Sequence, residues 1–231
     1  MTLLELLIVL AILSLVAGAI MSVFMGSLRA YWKGSLSTQV QKGGRVAFDR
    51  LGRDLRAARR LCGNPSCGTH GGVNFDTINC SPAPPQIGFV QEHLGLVTLN
   101  DGKTVIYATD PNGGGVIPYD GYYVSYYLAA SPGSTTATTN GPYLERALWD
   151  LNAGAISIAT IAGPEQQGAT NYGGANISNL AFAVGGGVGG CPVAATRDIL
   201  VTVTASQNTP LQSQALQDTS VFTGDISLRN Q

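Results

Sequence analysis

The first 28 residues restrict the fold of this chain more than any other stretch, because most of them are apolar. No charged residue occurs in the 23 residues from Leu6 to Leu28, and Glu5 stands immediately before them. About 20 apolar residues are enough to cross a bilayer as an α-helix. The sequence therefore predicts that the chain begins as a helix placed in lipid or in an equally apolar protein environment.

Two general interpretations of this run compete with a more specific one. A secretory signal peptide is suggested by Ala17-Gly18-Ala19, which resembles a cleavage site, but such peptides start with a basic region and the early charge here is acidic. A plain membrane anchor also fits the length. An anchor, however, has no need of the Glu5 carboxylate at its entry, where a charge is costly.

The third interpretation depends on the first ten residues, MTLLELLIVL, which resemble the mature N-terminus of a type IV pilin after the prepilin peptidase has removed a basic leader. In that family the new terminal residue is N-methylated, and Met occurs there in the type IVb branch. The resemblance implies that Glu5 pairs with the terminal amine of a neighbouring subunit, with Met1 and Thr2 completing the assembly site. It implies a filament core built from Leu6, Leu7, Ile8, Leu10, Leu13, Val16, Gly18, Ile20 and Phe24. Thr2 and Glu5 also fit a capping box, in which they satisfy free N–H groups at the helix start.

The second part of the predicted helix is amphipathic. Apolar residues recur there at helical spacing: Ala47, Leu51, Leu55 and Ala58. Proline is absent as far as Leu61, so one helix of about 60 residues and roughly 90 Å is predicted, with an apolar half at 1–28 and an amphipathic half at 29–61. Many pilins have a proline near position 22, which is absent here. Gly18 and Gly26 are therefore the expected weak points if the helix loosens on assembly.

Residues 62–231 are predicted to form a disulfide-stabilised, β-rich head. Short runs of alternating apolar and polar residues follow a loop over 62–85, and Asn100-Asp101-Gly102 is typical of a hairpin turn. The predicted strands are Ile87–Val90, Leu96–Leu99, Thr104–Ala108, Tyr122–Leu128, Tyr143–Trp149, Ala155–Ile161, Ile177–Val184, Ile199–Ala205 and Val221–Leu228. The predicted fold class is α+β, a long N-terminal helix packed against a mostly antiparallel sheet with glycine-rich loops.

The chain has four cysteines, which are Cys62, Cys67, Cys80 and Cys191. An even number in a chain that begins at a membrane predicts two disulfides outside the cytoplasm. Three connectivities are possible. The turn residues between Cys62 and Cys67 favour closure of that small loop, with Cys80 and Cys191 joining distant segments. A zinc site is the alternative, but a second close pair of cysteines is missing.

Charge is divided unevenly along the sequence. Residues 1–60 hold nine Lys or Arg against three acids, whereas residues 61–231 hold four against eleven. A basic stem and an acidic head could attract each other between packed subunits, or the basic face could simply meet water or lipid headgroups. Nucleic-acid binding is not expected, since aromatic residues do not interleave with the arginines.

The sequence predicts no catalytic group, metal site or cofactor. His70 and His93 have no nucleophile placed beside them, and the glycine run 185–190 lacks the GK[ST] ending of a phosphate-binding loop. Asp110-Pro111-Asn112-Gly113 could offer oxygen ligands to calcium, although ordinary Asx turns explain it as well. We therefore expect a structural protein rather than an enzyme.

The resemblance extends past the apolar run. Residues Gly44–Arg56 resemble the stem of the PilW and PulJ group of minor pilins and pseudopilins, and Tyr122–Leu128, Tyr143–Arg146 and Ile226–Asn230 are similar to head strands of that group. This implies a subunit held in the inner membrane before assembly and then in a cell-surface filament. The implied partners are copies of itself, other pilins and the pilus assembly machinery. A shaft-forming major pilin, a minor pilin that starts or tips the filament, and a pseudopilin of a type II secretion system all remain open.

Overall fold

The computed structural model describes residues 3–62, 67–76, 84–92, 95–98, 104–107, 121–150, 154–164, 175–185, 190–193, 196–209 and 216–228. Helix α1 spans Leu3–Arg56, and β-strands follow it. They are β1 (Ala58–Leu61), β2 (Thr69–His70), β3 (Val73–Asn74), β4 (Gln86–Glu92), β5 (Gly95–Thr98), β6 (Thr104–Tyr107), β7 (Gly121–Ala129), β8 (Tyr143–Asp150), β9 (Ala155–Ala162), β10 (Asn176–Val184), β11 (Asp198–Thr209) and β12 (Leu216–Ser227). The predicted α+β class is confirmed.

Helix α1 ends five residues before the predicted boundary at Leu61. Its last backbone bond runs from Ala57 N to Arg53 O at 3.2 Å. Residues 58–61 instead form β1, which pairs antiparallel with β4, and the next amide, Cys62 N, donates to Gly88 O at 2.8 Å. The helical pattern of these residues is overridden because the strand conformation buries Leu61 and connects the chain to the sheet.

Two antiparallel sheets make up most of the head. The first has the strand order β1-β4-β7-β8-β9, and the second has the order β10-β11-β12. Two short hairpins, β2-β3 and β5-β6, are separate from them. Each of the nine predicted strands overlaps an observed one, whereas β1, β2 and β3 were not predicted. The predicted turn at 100–102 lies outside the described residues, although its flanks pair as Thr98 with Thr104.

The main core lies between the second half of α1 and both sheets. Leu51 and Leu55 of the helix are buried there with Phe89 and Tyr126 of the first sheet and Val203 of the second. The sequence pattern explains this contact, because residues three and four apart share one face of a helix.

The long β11-β12 hairpin packs on the helix through two close approaches. A Cβ added at Gly44 of the helix would lie 2.1 Å from the Phe222 ring, and one at Gly224 of β12 would lie 2.8 Å from the Phe48 ring. Each phenyl ring therefore occupies the space left by a glycine on the opposite element. This reciprocal contact fixes the position of the hairpin along the second half of α1, which we call the stem.

Candidate assembly interface

Within the described residues, the first half of α1 does not pack on the head. Its side chains from Leu3 to Leu28 are all exposed, and the first buried residue of the helix is Leu36. An 18-residue window of this half reaches a mean hydropathy of 2.8 with none of it buried. By length and composition α1 can cross a membrane, and it is the one helix of the described residues that can.

The predicted filament-core residues lie together on this free half. Exposed fractions of their larger side chains run from 46% for Val16 to 65% for Ile20. Gly18 has open space where a Cβ would stand. Glu5 lies exposed in the first helical turn, whereas Met1 and Thr2 are outside the described residues, so the capping box and the assembly site built on them stay predictions.

The serine hydroxyls in this half are satisfied by the helix itself. The hydroxyls of Ser14, Ser22 and Ser27 each donate to the backbone oxygen three residues earlier at 2.8 Å. An unsatisfied polar group in hydrocarbon costs several kcal/mol. Because these bonds are internal, the serines do not prevent burial of the whole half in an apolar environment. Helix α1 also runs unbroken through Gly18 and Gly26 in the single chain; the expected loosening concerns the assembled state.

A buried polar network joins the second half of α1 to the first sheet. Asp54 is 5% exposed and faces β7 and β8. Its Oδ2 accepts hydrogen bonds from the Tyr126 hydroxyl at 2.8 Å and from Arg146 Nε at 2.6 Å. Arg50, one helical turn earlier, lies 4.0 Å from the same oxygen. The carboxylate is thus shared between the helix and two strands, which holds the stem in one position on the head.

The tyrosine of this network stays protonated and acts as a donor. Burial raises the pKa of Tyr126 well above its ordinary range, and the negative charge of Asp54 raises that pKa further. The guanidinium of Arg146 acts in the opposite direction but does not reverse the shift. The Tyr126 hydroxyl can therefore donate its proton to Asp54 at all moderate pH values.

The opposite face of the first sheet, called here the outer face, is covered by loops. Cys62 and Cys67 form a disulfide there, with Cα atoms 5.6 Å apart, as the turn residues between them had indicated. The Asp76 carboxylate accepts hydrogen bonds from the backbone N–H groups of Cys67 and Gly68. Cys191 is also disulfide-bonded, while Cys80, its expected partner, lies outside the described residues.

His70 belongs to this loop cover. Its ring stacks on Trp149 with centroids 4.5 Å apart, and its Nε2 lies 2.8 Å from the backbone oxygen of Cys67. These contacts leave the His70 ring half-buried and make it part of the packing of the loops. His93 lies outside the described residues. Within the described ranges no group of three or more His, Cys, Asp or Glu side chains is placed to hold a metal ion.

Glu145 is a second buried carboxylate, on the outer face, and it was not predicted. Its Oε1 accepts hydrogen bonds from Thr160 Oγ1 at 2.8 Å and from Gly133 N at 3.1 Å. Its Oε2 is buried and, within the described part of the chain, has no hydrogen-bond partner. Burial raises the pKa of Glu145, and the two hydrogen bonds oppose that effect only in part.

Sequence reasoning also missed the Asp54 network, although a signal was present. Asp54 stands three residues after Leu51 and next to Leu55, on the apolar face of an amphipathic helix, where a charge calls for a buried partner. Its partner Arg146 is 92 residues away in sequence. Spacing within the helix indicates that a partner exists but not which residue it is.

Comparisons with known proteins add no further assignment: no family model, no curated protein and no solved structure matches this chain.

Proposed function

We propose that the chain is a structural subunit of a filament of the type IV pilus kind, assembled through the first half of α1. The observation that carries the proposal is the contrast within one unbroken helix. Residues from Leu36 onward contribute to the core of the head, whereas the side chains from Leu6 to Leu28 carry no charge and are all exposed. A soluble monomer has no use for such a surface, but a bundle of identical helices buries it.

The energetic scale supports this proposal. Large apolar side chains such as Leu7, Ile20 and Phe24 remain exposed throughout the free half. Full burial of each is worth up to about 1.5–3 kcal/mol relative to exposure in water. Lipid would cover this surface before assembly, and neighbouring helices would cover it in the filament. Transfer between these two apolar surroundings keeps the surface out of water at each stage.

Glu5 is the proposed register element of this assembly. Its carboxylate stands at the edge of the apolar half, in the first turn of α1. In a bundle the terminal amine of a neighbour could meet it there, and a charge pair of this kind, away from water, would favour one axial offset between subunits.

The function is tested by shearing surface filaments from cells and measuring the intact mass of their main protein. The proposal expects this chain, beginning at an N-methylated Met1. A dominant species identifies a major pilin, a trace species in long filaments identifies a minor pilin, and confinement to a short periplasmic pseudopilus identifies a pseudopilin. If the chain is found in no filament, the proposal is contradicted.

The role of Glu5 is tested in the same cells with Glu5→Ala. The head should fold normally, but incorporation into filaments should fall about tenfold or more. Removing one partner of a buried charge pair costs about 3–5 kcal/mol, and about 1.4 kcal/mol already corresponds to tenfold. Asp49→Ala is the matched control, since Asp49 is an exposed carboxylate of the same helix that pairs with the exposed Arg45 at 3.6 Å. Equal incorporation of both variants would show that Glu5 has no special part in assembly.

A further inference from the structure

The five residues that follow the apolar half of α1 include two bases and two aromatic rings. Arg29, Tyr31, Trp32 and Lys33 are all exposed, and Tyr31 and Trp32 retain 70% and 44% of their surface. Tyr31 and Trp32 lie edge to face, with centroids 6.0 Å apart, and within the described part of the chain neither ring is buried against the head. We name these four residues the girdle. Aromatic rings exposed in this way need a surrounding that is apolar on one side and wet on the other.

Helix geometry spreads the girdle over several faces of α1. Arg29 and Lys33 are four residues apart and share one face, while Tyr31 and Trp32 lie about 200° and 300° around the helix from Arg29, since each residue turns the helix by about 100°. A stripe along one face would suit packing against a single partner. Side chains on several faces within about 6 Å along the axis suit a planar boundary instead.

The axial level of the girdle matches the thickness of a bilayer. The 23 uncharged residues from Leu6 to Leu28 span about 34 Å at 1.5 Å per residue. The hydrocarbon core of a bilayer is about 30 Å thick. With Glu5 at one edge, the other edge falls within one turn of Arg29. Tyr31 and Trp32 then lie at the headgroup layer, where such rings concentrate in membrane proteins.

We propose that the girdle binds the headgroup layer of an anionic phospholipid membrane and sets the depth of the helix before assembly. This inference rests on the membrane stage of the proposed function. The phosphates of anionic lipids would pair with Arg29 and Lys33, and the two rings would lie between headgroups and acyl chains. Leu36, the first residue of the helix that is buried, would follow about 6 Å beyond Trp32 along the helix. The head would therefore rest directly on the membrane surface.

Trp32 reports this depth. The chain has two tryptophans, so Trp149→Phe leaves Trp32 as the sole emitter. The full-length variant is reconstituted into phosphatidylcholine vesicles, and into vesicles that also contain phosphatidylglycerol, with bromine at several acyl depths. We expect maximal quenching by the shallow bromines, about 15 Å from the bilayer centre. In anionic vesicles we expect about a two-fold lower quenching constant for aqueous iodide.

The matched comparison is between two pairs of bases. Arg29→Gln/Lys33→Gln should abolish the difference between neutral and anionic vesicles. Lys42→Gln/Arg45→Gln should preserve it, because these exposed residues lie more than a Debye length of about 10 Å beyond the girdle. An unchanged response in the first pair, or equal loss in both, would overturn the lipid assignment.

Three further outcomes separate this inference from the function on which it rests. A chain that fails to float with vesicles would contradict the membrane stage and the girdle together. A chain that floats while Trp32 is quenched freely by iodide, or only by the deepest bromines, would overturn the girdle alone. Protection of Trp32 that arises only in filaments would assign the four residues to contacts between subunits instead.

Discussion

The two faces of the first sheet each bury a carboxylate, and the protein stabilises them in opposite ways. On the face toward α1, Asp54 receives hydrogen bonds from a tyrosine and from the Arg146 guanidinium. On the outer face, Glu145 receives two hydrogen bonds on one oxygen, and within the described residues its other oxygen has no partner. The first arrangement gives the acid a cation as its partner, whereas in the second burial favours the neutral acid.

The contrast arises from two neighbours in sequence. Glu145 and Arg146 are adjacent in β8, and side chains of a strand alternate between the faces of its sheet. A Glu-Arg pair that would neutralise itself on a surface is therefore divided by the sheet. Arg146 is directed to the acid of the stem, and Glu145 is left among Tyr127, Thr160 and the loop at Gly133. Position relative to the sheet, rather than residue type, decides which acid receives a cation.

The largest effect should come from removal of the cation on the helix face. Arg146→Met leaves Asp54 buried without its guanidinium, so we expect the free energy of unfolding to fall by about 3–5 kcal/mol. Urea unfolding of the full chain, in micelles that cover the apolar half of α1, measures the change. The additional substitution Asp54→Leu should recover much of the loss, because it removes the unpaired charge.

Arg45→Met is the matched control for that experiment. Arg45 pairs with Asp49 on the exposed side of α1, where the two side chains retain 79% and 59% of their surface. An exposed pair is worth about 0–1 kcal/mol. If Arg146→Met costs no more than this control, the Asp54 network does not hold the stem on the head.

The loops on the outer face should depend on the Cys62–Cys67 disulfide for their stability more than the face toward α1 does. Cys62→Ala/Cys67→Ala opens a loop of sequence separation 5, and the entropy of closing so short a loop corresponds to about 2 kcal/mol. We expect the loss to be accompanied by faster proteolysis within 67–76, with the stem contacts unchanged. Reduced wild-type protein, which also loses the bond of Cys191, should be less stable than this variant. If Cys62→Ala/Cys67→Ala is as stable as oxidised wild type, the loops on the outer face are held by packing alone.

The sequence predicts the elements of this fold better than the connections among them. The uncharged run and the alternating segments predict α1 and the main strands, because each pattern is local. Strand β1 was missed because its residues continue the helical pattern, and only pairing with β4 makes them extended. The contact between Asp54 and Arg146 joins positions 92 residues apart, and no local pattern contains that information.

Neutralising the buried acid of each face has the smallest expected effect. It is also the most selective test of the difference between the faces, because the change in the free energy of unfolding should have opposite signs on the two faces. Glu145→Gln keeps the oxygen that accepts from Thr160 and Gly133, and it removes the charge that burial disfavours. At pH 7 we expect a gain of about 1 kcal/mol in the free energy of unfolding. Asp54→Asn is the corresponding change on the helix face, and it should destabilise, because Arg146 then loses its counter-charge.

The pH dependence of the free energy of unfolding tests the sign of the effect at Glu145. Burial raises the pKa of Glu145 above its ordinary value of 4.5. Folded wild type thus binds its proton more tightly than the unfolded chain does, and its stability falls as pH rises from about 4.5 through the raised pKa. Glu145→Gln should remove that fall: it should match wild type near pH 4 and exceed it at pH 7 in parallel urea titrations. A constant difference in stability between the two proteins across this range would show that Glu145 has the same pKa in the folded and unfolded chains. Burial on the outer face would then have no effect on the protonation of this acid.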